Sequence, residues 1–399
     1  MTSPVDTSVK FFSSAMSGAP VLSGTAGSLI GVLDACLKDG FDVKTAASVV
    51  VAAGVCTVSW VGTHSALPDC VILVAGVTDK TALNGEQKVV TKGATSLTFA
   101  TAASDGAASG TITFKIAPVG WTKAFTGTNL AAYKSSDPAA SGCYLRVDDS
   151  ATTSARVVGY ESMSDISTGV GPFPTVAQIS GGGYWAKSSN ANSTAVVWSL
   201  HADARFFYIT IQAGTSSAVT RQVAATRCFG DPITYRPGGD PYACVLNYSF
   251  TSTLDSQTTG GVGTGADAVV SATPRDYTGL GSGVLAAIYA FTSAGTSNVS
   301  GTSNVMGPFP SAVDGGLWLS ETYLAMSGSF APRAKMPGFY RCPQTGVWNT
   351  FKQNDRTPGT GALTGRNLMA VTSSVTVFSA VSDASNTGIA MVDVTGPWR

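Results

Sequence analysis

Short runs in which apolar and polar residues alternate dominate the chain from about residue 44 onward, and one stretch before them carries helical spacing. In residues 28–38, Leu29, Ile30, Val32, Leu33, Cys36 and Leu37 recur at three- and four-residue intervals. Ser28 stands where a helix N-cap belongs and Gly40 where a helix stops, so a short amphipathic helix is predicted there. Residues 1–27 show no sustained period. Their Ser, Thr, Pro and Gly, mixed with Phe11 and Phe12, predict an arm ordered by packing on something else, of the kind that locks neighbouring subunits.

Between 44 and 118 the runs SVVVAAG, VCTVSWV, DCVILVAG, QKVVTKG, SLTFATA and GTITFKIA follow one another, divided by turn signals at 67–69, 84–85 and 104–106. Evenly spaced short strands with such turns predict a small antiparallel β-sandwich of the immunoglobulin-like kind, without the cysteine and tryptophan placement of antibody domains. The stretch after Pro118 reads as a linker docked through Trp121 and Phe125. Strands are then expected at 143–147, 155–160, 195–200, 205–212, 221–229, 242–250, 284–291, 316–326, 368–380 and 388–394. The fold class expected is therefore mainly β: an N-terminal arm and short helix (1–43), an immunoglobulin-like sandwich (44–118) and a larger β-rich, sandwich- or barrel-like domain (119–399). The low-complexity run TSTLDSQTTGGVGTG marks an internal boundary near 251–265. Two copies of Gly-Pro-Phe-Pro, at 171–174 and 307–310, each precede a Gly-rich turn and a tryptophan (Trp185, Trp318), a weak hint of two related halves.

Charge changes the picture in one respect. Only 12% of residues are charged, about half the usual share of roughly 25%, and 24 basic side chains balance 24 acidic ones. With no basic cluster, the electrostatic footprint of a nucleic-acid binder is missing. A surface this poor in ions favours a protein that hides much of it in contacts, hence a homo-oligomer. Seven cysteines without a CxxC pair read as free buried thiols and not as a zinc or disulfide framework. No run of 18 apolar residues and no leader-like segment occurs, so neither membrane insertion nor secretion is expected.

Candidate chemistry is sparse. Of the two histidines, His64 and His201, neither sits in a nucleophile motif, and the serine of Gly279-Leu280-Gly281-Ser282-Gly283 is one position off an elbow. His201 and Asp203, with Asp148, Asp149, Glu161 and Asp165, contain the carboxylates that a hydrolase or a hard cation requires, but acids beside Ser, Thr and Gly more often form turns and pair with Arg146, Arg156 and Arg205. No catalytic residue, metal or cofactor is expected. Tyr160, Phe173, Tyr184, Trp185, Trp198 and the 206–208 aromatics would suit a host receptor or glycan platform, yet their strand-like alternation favours core packing. The densest stretch, 144–187, reads as a structural corner in which Arg146 and Arg156 face nearby acids and Pro172 and Pro174 fix the exit of the chain.

Several runs together resemble structural proteins of tailed bacteriophages and prophages: MTSPVDTSVKFFSSAMSGAPVLSGTAGSLIGVLDACLKDGF, LNGEQKVV, ASGTITFKIAPVGWTKAF, the YLRVDDS to GPFPT block, CFGDP at 228–232 and the final VDVTGPWR. The resemblance spans nearly the whole chain. It implies a non-enzymatic virion component of the tail or baseplate, assembled in the bacterial cytoplasm into a homo-oligomeric ring or trimer with other virion proteins as neighbours. A capsid decoration or head-fibre protein, and a tail protein that binds a receptor or glycan, are the alternatives it leaves open. Phe11, Phe12, Gly171, Pro172, Phe173, Pro174, Trp185, Trp398 and Arg399 are the residues expected to serve assembly.

Overall fold

The computed structural model describes residues 3–213, 224–252, 269–291, 306–327, 331–372 and 389–399. Strands account for 45% of the chain and helices for 6%, so the mainly β expectation holds. The expected excursion at 251–265 and the far end of the strand expected at 368–380 fall largely outside the described residues, as do residues 221–223 of the strand expected at 221–229.

Eight strands between Phe41 and Ile116 form one antiparallel ladder. One half contains Phe41–Thr45, Thr113–Ile116, Val71–Ala75 and the start of Gly85–Lys92. The other continues from the end of Gly85–Lys92 through Ser96–Ala100, Val55–Ser59 and Ser48–Ala52 to the two-residue edge Gly106–Ala107. A register shift between Val89 and Thr91 lets one strand serve both halves, because a bulge bends its strand and re-aims the side chains beyond it. Alternation then does the rest. Val49, Val51, Cys56, Val58, Leu97 and Phe99 from one half meet Ile72, Val74, Phe114 and Ile116 from the other in one buried cluster, as the period of two predicts.

The remaining strands join in a second antiparallel network. It starts as a meander of Thr122–Gly127, Leu130–Lys134, Tyr144–Asp148 and Ser154–Met163. Residues read as a linker thus form a hairpin, turned at Asn129 with φ of 56°, although Trp121 does dock as expected. At the centre Phe206–Gln212 lies between Val197–Ala202 and Ala224–Gly230. Every residue of Phe206–Gln212 is buried. Phe207, Ile209 and Ile211 enter the main core while Phe206 and Tyr208 enter a second one, so this strand has no solvent face. A strand covered on both sides reads as a continuous apolar run, and FFYITIQ does.

Three glycines let aromatic rings lie flat on neighbouring strands. A Cβ on Gly159 would stand 2.4 Å from the Phe173 ring, and one on Gly183 equally close to Tyr248. At Gly338, whose φ of 58° already favours glycine, it would stand 2.1 Å from Trp398. Any side chain at these positions expels an aromatic ring from the core.

The helix spans the predicted segment but changes type along it and is capped differently. It is α-helical over Ser28–Leu33 and widens to a π-helix over Asp34–Asp39, ending at Gly40 as expected. Ser28 is not the cap: its hydroxyl donates back to the carbonyls of Ser23 and Thr25, and Gly27 takes the N-cap position. The N-terminal N–H groups are satisfied from far along the chain, by Asp149, whose Oδ2 accepts from Leu29 at 2.8 Å and Ile30 at 3.2 Å. The other carboxylate oxygen pairs with Lys187, which also donates to the Thr25 carbonyl at 2.7 Å. Both side chains are 0% exposed. Burial pushes the Asp149 carboxyl up, and Lys187 and the two helix N–H groups hold it back.

Asp149→Asn is expected to cost about 3–5 kcal/mol of stability, because it strands a buried ammonium without its counter-charge. Urea unfolding should show a lower midpoint at an unchanged slope, and Asp149→Asn with Lys187→Met should recover part of the loss.

Candidate functional site

The residues expected to serve assembly are placed inside their own chain. The arm forms a strand, Lys10–Ser13, paired with Val197–Ala202 so that Phe11 opposes His201 and Phe12 opposes Leu200. The two rings are 2% and 1% exposed. The hydrophobic surface these rings cover belongs to their own chain. Trp398 lies 5.9 Å from Tyr208 and donates to the Asp393 carbonyl at 2.8 Å. Arg399 pairs with Asp203 at 2.8 Å and donates to the Asp231 carbonyl at 2.9 Å. Both terminal side chains therefore hold the fold together.

At the 144–187 corner, Gly171 has φ of 64°, Phe173 is buried and stacks with Phe229, and Phe173–Pro174 is a cis peptide. The second motif repeats the conformation at Gly307, φ 77°, and at cis Phe309–Pro310, with Phe309 packed 5.7 Å from Phe351. Trp185 is fully buried, edge-on to Phe207 at 6.1 Å, and donates to the Asn247 carbonyl at 2.7 Å. The expected arginine–acid pairs are not those that form. Arg146 donates to the Ile166 carbonyl at 2.8 Å and Arg156 to Gly181 at 3.1 Å while lying 3.8 Å above the Tyr184 ring. Glu161 pairs with Arg275 at 2.8 Å, and Asp165 closes its own turn onto the N–H groups of Ser167 and Thr168. Short carboxylates beside Ser and Thr satisfy the local backbone before they reach an arginine.

The side chains considered for hydrolysis are separated. His201 is completely buried, its Nε2 3.4 Å from Met369 Sδ, and burial pushes its imidazole down to about 3. Asp203 shapes the tight turn after it, accepting from the N–H groups of Arg205 and Phe206 at 2.8 Å each. His64 is equally enclosed, between Trp60 and Phe114. Burial takes it down to about 4 against the opposing pull of Asp42. Among the described residues no three His, Cys, Asp or Glu side chains gather as metal ligands. Of the aromatics named as a glycan platform, Phe173, Trp185, Trp198, Phe206, Phe207 and Tyr208 are core residues, 0–1% exposed, while Tyr160 and Tyr184 are half-buried.

What the surface does offer are two neighbouring clefts. One, of about 550 Å³, runs between 139–141, 231–234 and 238–243, with Arg205 and Arg399 at its side. The other, of about 530 Å³, is lined by Tyr235, Arg236, Tyr277, Met326, Pro332 and Arg333. Asp240 borders both, so the 235–241 turn is the wall between them. No sequence signal marked these positions: Tyr235, Arg236 and Tyr277 stand in isolated turn segments without periodicity.

No family model and no curated protein sequence matches the chain. Among solved structures it is similar to the phage phi92 endosialidase at 9% identity and a TM-score of 0.17, over 80% of this chain and 54% of that one. The chain thus spans about half the length of that protein, and a superposition this loose carries no argument. No helix among the described residues is long and apolar enough to cross a membrane.

Both imidazoles lie below their ordinary 6.5 in the folded state, so between about pH 6.5 and 4 the unfolded chain binds more protons. Their contribution to stability is complete above pH 6.5 and is lost as pH falls through that window. The urea midpoint is expected to drop from pH 7 to pH 4. In His201→Leu the slope should flatten by about one proton.

Proposed function

We propose that this chain is a structural subunit of a bacteriophage virion, placed in the tail or baseplate and working by self-assembly. The observation that carries the reading is the outer face of the sandwich half built from Ser48–Ala52, Val55–Ser59 and Ser96–Ala100. Its outward positions form three cross-strand rows: Ser48, Ser59 and Ser96; Val50, Thr57 and Thr98; Ala52, Val55 and Ala100. Not one is charged. Val50 is 40% exposed and Val55 43%, and Val90 beside them is 54% exposed. A flat sheet face of small neutral side chains lacks the ions that keep copies of a protein apart, and little desolvation opposes its burial against a like surface. The resemblance of the sequence to tailed-phage structural proteins supports the same reading. So does the enclosure of both histidines, which leaves no solvent-facing imidazole for catalysis.

Size-exclusion chromatography with light scattering on the full chain tests it. The wild type is expected to run as a homo-oligomer, and Val50→Lys with Thr98→Lys to run as a monomer with an unchanged circular dichroism spectrum. A wild type that stays monomeric at high concentration, or a charged variant of unchanged mass, would sink the assembly role. Tracing subunits in a particle reconstruction places the chain, with density on the head in place of the tail making it a capsid decoration.

A further inference from the structure

Of the twelve tyrosines, Tyr235 and Tyr277 are the two that lie open to solvent, at 46% and 59% exposure. Both line the same 530 Å³ cleft, although 42 positions separate them in sequence. Folding a β-rich chain does not require two aromatic side chains to be brought together outside the core, where their apolar faces gain little from burial.

The two rings stand on anchored supports. Arg333 lines the same cleft and reaches two segments: Asp240 at 2.8 and 3.2 Å with the Tyr242 carbonyl at 3.0 Å, and Thr273 Oγ1 with the Arg275 carbonyl at 3.1 and 2.9 Å. The Tyr277 turn is closed by Asp276, which accepts from the N–H groups of Thr278 and Leu280 at 2.8 and 3.1 Å. It is tied across to the other wall by Arg236, whose Nη1 donates to the Tyr277 carbonyl at 2.7 Å. The distance between the tyrosines is thereby fixed before any ligand arrives, which lowers the ordering cost of binding.

The lining specifies the ligand. Two phenol rings and the apolar edges of Met326 and Pro332 suit the C–H face of a pyranose ring, while hydroxyls at the rim can exchange hydrogen bonds with its equatorial groups. The charge of Arg333 is cancelled by Asp240, so exposed Arg236 is the cation the cleft presents. One guanidinium fork matches one carboxylate and falls short of the several cations that a polyphosphate demands. We propose that the Tyr235–Tyr277 cleft binds a short acidic oligosaccharide, with a sugar ring stacked between the tyrosines and its carboxylate on Arg236. The site is independent of whether the chain assembles.

The test applies the full-length wild type to an array of neutral and uronic-acid-bearing oligosaccharides, followed by calorimetry with trigalacturonate and maltotriose. Acidic glycans are expected to be retained preferentially. Tyr277→Ala and Tyr235→Ala should each weaken trigalacturonate binding by about tenfold or more, with the thermal midpoint unchanged because both side chains are exposed. Arg236→Gln removes both the carboxylate partner and the tie to the Tyr277 carbonyl, so it should weaken trigalacturonate binding by a larger factor than maltotriose binding and thereby abolish the acidic preference. Absence of retention on the whole array, or tyrosine variants that bind like the wild type, overturns the proposal. An Arg236→Gln variant that keeps the acidic preference overturns the carboxylate assignment.

Discussion

Asp149 and Lys187 form the contact on which the two parts of the molecule depend. The carboxylate lies just beyond the strand Tyr144–Asp148 and the ammonium just beyond Gly183–Ala186, and between them they satisfy the start of a helix that comes more than a hundred residues earlier. Neither charge reaches water, so each depends on the other and on the backbone groups around it. The helix is too short to persist alone, since nucleating a turn is unfavourable and six residues recover little of the cost. It exists because the large sheet supplies its cap. In turn it presents Leu29, Ile30, Val32 and Leu33 to a core shared with both ladders.

That core explains why the chain is so rich in aromatics and glycines and so poor in charge. Trp121, Phe207 and Phe229 are mutual neighbours, with Trp185 joined to Phe207 and Phe173 to Phe229, at centroid distances of 5.4–6.5 Å. Rings of this size reach across a sheet where the opposite strand gives way to glycine, as at Gly159 and Gly183. With Phe206–Gln212 covered on both faces, the molecule has more interior positions to fill than a single two-layer sandwich of this length would need. Two cations join the small ladder to the large network: Lys88 donates to the carbonyls of Val394 and Thr395 at 2.6 and 3.1 Å, and Arg356 forms an ion pair with Asp69 at 3.1 Å.

The sequence revealed strands wherever alternation or a continuous apolar run spanned five or more residues, as in SVVVA, VCTVS and FFYITIQ. It concealed those whose pattern is interrupted. Pro332–Arg341 contains two prolines and a glycine yet forms a ten-residue strand, because its register shifts accommodate them. Lys10–Ser13 is too short to show a period and is a strand only because Val197–Ala202 offers it an edge. The chemistry was less legible than the fold. Aromatic richness pointed to 144–187 and 198–208, where the rings are buried or half-buried, whereas the open tyrosines stand alone in turns of Pro, Gly and Asp. A pairing such as Asp149 with Lys187 rather than with Arg156 depends on which loops the sheet brings together, and no local spacing encodes that.

Gly396 lies against Asp6 and Val9, and Val9 shares a buried cluster with Trp398. The first strand meanwhile waits on Val197–Ala202 for a partner. The segment around Asp6 and Val9 thus completes its packing only against residues 387 or more positions away in the sequence. Contacts this distant in sequence make for slow closure.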